Sequence, residues 1–134
     1  MPGTEGNWSH GTTLEATPIS AAGARAFVSR HLVDHRLTYL VDPVRLVVSE
    51  LATNALVHGQ TPFVVTLSRE GDTVRVTVSD DGPWLADTAP HQSLQVGGRG
   101  LVIVNVLSRE WGVIAEVASK TVWATFEAHP ASSS

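Results

Sequence analysis

The stretch Val47-Val48-Ser49-Glu50-Leu51-Ala52-Thr53-Asn54-Ala55-Leu56-Val57-His58-Gly59 reads as a helix. Leu51, Ala52, Ala55 and Leu56 recur at the spacing of one apolar helical face. Upstream, Pro43 sits where a first helical turn tolerates proline, and Asp42 before it suits an N-cap. Gly59 follows the last periodic residue and suits a left-handed C-cap. Glu50, Asn54 and His58 fall four residues apart, so they share a second stripe beside the apolar one. Two readings of that stripe stand. It is the solvated face of an amphipathic helix, or it is a carboxylate and a carboxamide one turn apart that hold a divalent cation and orient a water or hydroxyl.

Outward from this helix the chain alternates between two periods. Ser20 to His35 reads as an earlier helix, with Ala21, Ala24, Phe27, Val28, His31 and Leu32 at helical spacing. Before it, Met1 to Gly11 reads as a disordered tail in which Trp8 is loosely placed, and Thr12 to Ala16 as a short edge strand ended by Thr17-Pro18. Downstream, Gln60-Thr61-Pro62 signals a turn and Phe63 to Arg69 a strand. Glu70-Gly71-Asp72 is a tight hairpin connection. Thr73 to Asp80 alternates cleanly, with Val74, Val76 and Val78 on one face. Trp111 to Glu116 and Lys120 to Glu127 form two more strands. Helices and hairpins in this order predict an α+β fold, a two-layer sandwich of one mixed sheet with helices on one face.

Asp80 shares the parity of the valines, so its carboxylate points to the core side of its strand. The plain alternative is that it opens the turn at Asp81-Gly82-Pro83, where aspartate is common. Trp84 to Val96 has no period and is long for a connection in a compact domain, which points to a functional segment. It ends in Gly97-Gly98-Arg99-Gly100-Leu101, ahead of an apolar helical run to Leu107. Glycines opening a helix let backbone N–H groups approach phosphate oxygens, or they are a simple hinge.

At 134 residues the chain has the size of one domain, expected at 12–128, with tails at 1–11 and 129–134. A net charge of -4 argues against a nucleic-acid binder. With no cysteine there is no disulfide framework, thiol nucleophile or cysteine-based zinc site. No apolar run approaches the ~20 residues of a membrane span, and no signal-peptide pattern opens the chain. A cytoplasmic protein is expected. The P-loop pattern is absent, and Gly98-Arg99-Gly100 lacks the third glycine of a dinucleotide fingerprint. His31 and His35 stand one helical turn apart, but with no third ligand at a plausible spacing they read as surface or core residues.

The Glu-x-x-x-Asn helix, the Asp-x-Gly strand end and the glycine box before a helix, in that order, resemble the GHKL (Bergerat-fold) ATP-binding domain of gyrase, the heat-shock chaperone and histidine kinases. More narrowly, "ELATNALVHG", "VSDDGP", "GGRGLVIV", "WGV" and "KTVWATF" look like the anti-sigma-factor serine kinases. The resemblance covers Thr12 to Glu127 and implies ATP and Mg2+ as cofactors. By position it implies Glu50 as general base, Asn54 as magnesium ligand and Asp80 as acceptor for the adenine amino group, with Gly82 letting the base approach. Gly98, Gly100 and Leu101 match the phosphate-binding second glycine box, Arg99 adds charge at the γ-phosphate, and Thr121 matches a late threonine near adenine. His58 matches a phosphate contact, although helix capping explains it as well. Trp84 to Val96 becomes the ATP lid.

Pro83-Trp84 replaces the last two positions of the family's first glycine box, and Ser119 stands where glycine is usual. The implied activity is a serine/threonine protein kinase in transcription regulation. It would phosphorylate an antagonist protein, sequester a sigma factor and form a homodimer. The alternative is a non-catalytic ATP-binding module that acts by protein–protein interaction.

Overall fold

The computed structural model describes residues 6–58, 61–80 and 99–128. The C-cap at Gly59, Gly82, Pro83-Trp84, the lid segment 84–96, Gly98 and the tail at 129–134 lie outside the described residues.

Alternation fixes the sheet. Strands β2 (Phe63–Glu70) and β3 (Thr73–Asp80) bury every second residue: Phe63, Val65 and Leu67 on one, Val74, Val76, Val78 and Asp80 on the other. The two-residue turn between them needs a positive φ, and Gly71 supplies it at 62°. Strand β5 (Lys120–Glu127) pairs with β3, and β4 (Glu110–Ala115) with β5. Strand β1 (Trp8–Leu14) lines the far side of β2. The order is β1-β2-β3-β5-β4, and every pair is antiparallel. The sheet is therefore antiparallel throughout, where the sequence predicts a mixed one. Parallel neighbours need a crossover between them; here β2–β3 and β4–β5 are hairpins, and β3 and β4, which run in the same direction, are kept from pairing by β5 between them.

Helix α1 (Ile19–Asp34) buries Ser20, Ala24, Val28 and Leu32, one residue per turn along a single line. Its end is a left-handed cap on a non-glycine residue. Arg36 has φ 64°, its N–H donates to the Val33 carbonyl, and the Leu37 N–H donates to Leu32 at 2.7 Å. Leu37 then turns inward into the core. A 3₁₀ turn at Thr38–Leu40 leads into α2 (Val41–His58). Asp42, the expected N-cap, is thus inside the first turn of α2, one residue past its start at Val41, because the 3₁₀ turn already accommodates the chain entry. Val44, Val47, Val48, Leu51, Ala52 and Ala55 are all buried, a complete helical stripe. Helix α2 packs on α1, β3 and β5; α3 (Arg99–Leu107) packs on α2 and β4.

The amino-terminal expectation changes. Trp8 to Gly11 belongs to β1, where the sequence suggests tail, and Trp8 packs on the body. Ser9, Gly11 and Thr13 face outward, so the run lacks the apolar alternation that marks a strand. The strand exists because Trp8 finds His35 at the α1 C-cap, His10 finds His31 and Leu14 finds Gly23, contacts made with another element.

Candidate nucleotide site

Connectivity gathers one end of the sheet. Phe63, which opens β2, is the cross-strand partner of Asp80, and Asp80 is the partner of Lys120. The carboxyl end of α2, the start of β2, the end of β3 and the start of β5 therefore meet there. Glu50 and Asn54 are half-buried on α2. His58 closes that helix, and Arg99, Gly100 and Leu101 form the first turn of α3.

Asp80 is 3 % exposed, and its Oδ2 is fully buried. The inward parity expected from the valines holds, and the plain turn-opening reading does not account for this burial. Opposite it stands Lys120, also 3 % exposed. Burial pushes the Lys120 amine below its ordinary pKa, and the Asp80 carboxylate opposes that shift. The sequence reading passed over Lys120, although a signal was present. Lys120 shares the parity of Val122, Ala124 and Phe126, the same test that singles out Asp80.

Thr121 has the opposite parity, and its side chain bonds to the Ser79 hydroxyl at 2.7 Å on the outer face of the sheet. A strand alternates its side chains between faces, so Asp80 and Thr121 cannot both point inward. The structure does not bring the Thr121 hydroxyl to Asp80; Lys120 holds the position across from it. Thr61, two residues before Phe63, has a buried Oγ1 with no hydrogen bond among the described residues. The residues present fit a purine nucleotide: an acid and an orphaned hydroxyl are sunk at one sheet end, and a half-buried carboxylate and amide line the helix above. Among the described residues, no three His, Cys, Asp or Glu side chains converge as a metal site.

On the other side of α2, Arg25, Asp42, Arg45, Leu46 and Ser49 line an open groove of about 550 Å³, and Arg25 Nη1 donates to Ser49 Oγ at 3.0 Å. No helix among the described residues is long and apolar enough to cross a membrane.

No curated protein matches the chain. Among solved structures it is similar to the RsbU and RsbW domains of Rv1364c from Mycobacterium tuberculosis, with a TM-score of 0.71 and 23 % identity. That match covers 92 % of this chain and 34 % of the other, so this chain spans about a third of its length. It supports the two-layer α+β fold. Residues 14–126 match the model of the histidine kinase-like ATPase domain, which takes in both ends of the sheet and the whole of α2. The chain belongs to the histidine kinase-like ATPase domain family.

Proposed function

We propose that this domain binds ATP with magnesium and transfers the γ-phosphoryl group to a serine or threonine of a regulatory partner protein, in the manner of an anti-sigma-factor kinase. The observation that carries the reading is Asp80, an acid sunk at the end of β3, the strand on which the Glu50–Asn54 helix packs, in a chain of the histidine kinase-like ATPase family. The choice of kinase, and of a sigma factor with its antagonist as partners, is supported by the resemblance of "ELATNALVHG", "VSDDGP" and "GGRGLVIV" to anti-sigma-factor serine kinases; the similar structure supports the fold. Bound Mg-ATP supplies the phosphoryl group and the charge neutralisation its transfer needs. Asp80 accepts from the exocyclic amine of the base. Asn54 orients the metal–phosphate group. Glu50, one turn earlier, takes the proton from the attacking hydroxyl. By the resemblance, backbone N–H groups of the glycine box before α3, with Arg99, would bind the phosphates, Gly82 would let the base approach and His58 would contact phosphate.

Two measurements test this. Calorimetric titration with Mg-ATP should show binding that Asp80→Asn removes. With a candidate antagonist protein and radiolabelled ATP, Glu50→Ala should bind nucleotide normally and lose transfer by about 10²–10⁴-fold. Pro83-Trp84 in the first glycine box favours the second reading, a non-catalytic ATP-dependent interaction module. Tight ATP binding without labelling of any serine would select that reading.

A further inference from the structure

Strand β1 ends the sheet and is held on one side only, by β2. Its second anchorage is a run of rings onto α1. Trp8 stacks on His35 with centroids 3.8 Å apart and planes 6° from parallel. His10 Nε2 lies 2.9 Å from His35 Nε2. His10 also stacks on His31 at 3.9 Å, and Phe27 meets His31 edge-on at 4.8 Å. Three imidazoles thus join one strand to one helix, far from the nucleotide site.

We propose that this ring ladder is a pH-sensitive latch: neutral imidazoles pin β1 to α1, and their protonation frees the strand from the helix. A nitrogen pair at 2.9 Å holds one proton, so one ring must donate and the other accept. When both nitrogens are protonated, two N–H groups face each other and the bond is lost. Stacked imidazoles 3.9 Å apart also repel once both are charged. The surroundings offset that charge only in part. His31 faces Arg30, whose Nη2 is 3.4 Å from its Nε2, and His35 faces Arg69 on β2; among the described residues, Asp34 is the carboxylate that acts on both, and burial outweighs it.

Burial, and then His10, hold both His31 and His35 below the ordinary imidazole value of 6.5. The sign follows. The unfolded chain takes up these protons at higher pH than the folded one. The latch therefore contributes fully above 6.5 and is lost as pH falls through the lower folded values.

Amide hydrogen exchange on the intact chain, corrected for intrinsic rates, tests this at pH 7.5 and pH 5.5. Protection of β1 should fall about tenfold more than that of β3, the size of a second charge in a close pair. His31→Phe with His35→Phe keeps flat rings, leaves His10 with no imidazole partner and should abolish the difference. Should that variant not fold, imidazole Cε1–H titration of the wild type decides. His31 and His35 should titrate below 6.5, with β1 amide shifts following the same curve. Parallel loss of protection in β1 and β3, or imidazoles that titrate at or above the ordinary value, would overturn the latch.

Discussion

The Asp80–Lys120 pair shows what one parity decides. Both residues are 3 % exposed, and they sit opposite each other on the inner face of β3 and β5. Taking two charges out of water is costly, and their attraction offsets the cost only while both are present. Lys120→Met should therefore lower stability by about 3–5 kcal/mol, because it leaves the carboxylate with no cation across the strand. Asp80→Asn should cost a similar amount, and the double variant clearly less than the sum. Urea denaturation of the four proteins measures this coupling. Additive losses would mean that the two groups do not interact. The inward acid was legible in the sequence, since a single strand's alternation reveals it. That Lys120 also faces inward is legible by the same alternation; that it meets Asp80 is not, because the β3–β5 pairing spans forty residues and passes over α3 and β4. No local pattern records that register.

At the scale of elements, long periodic segments were readable and their junctions were not. Strands β3 and β5 fall where alternation puts them, and α2 carries its apolar stripe over the expected core. The start of α2 is displaced by a 3₁₀ turn, and β1 extends back to Trp8, because both depend on contacts from other elements. The Trp-Gly-Val and Lys-Thr-Val-Trp segments are a clearer instance. They are recognisable as words of a family, but the physical link between them is a cross-strand pair. Gly112 on β4 lies opposite Trp123 on β5, and a Cβ at Gly112 would come within 2.7 Å of the indole. The same indole receives Arg75, whose guanidinium carbon is 5.2 Å from the ring centroid. Gly112→Ala should push the ring aside, weaken both contacts and destabilise the β4–β5 hairpin by about 1–3 kcal/mol. Tryptophan fluorescence and thermal unfolding would report it, and an unchanged midpoint would show that Trp123 has room to move.

For the molecule as a whole, the candidate site is a joint among segments that are remote in the chain. Glu50 and Asn54 come from α2, Asp80 from β3, Lys120 from β5, and the first turn of α3 from beyond the lid segment. A ligand held by all of them adds stability to the entire fold, since it binds the folded state and not the separated segments. At one hundred times its dissociation constant the gain is about 2.7 kcal/mol, which in a chain of this size raises Tm by about 10 °C. Removing magnesium with EDTA separates the contributions. If Asn54 holds magnesium as proposed, the shift with ATP alone should be smaller than with Mg-ATP. Asn54→Ala should lose the magnesium-dependent part and keep the rest. Asp80→Asn should lose both, because the base is then no longer held at the sheet end. A Mg-ATP shift that survives Asp80→Asn at full size would place the nucleotide elsewhere on the molecule and remove the basis for assigning this sheet end as the site.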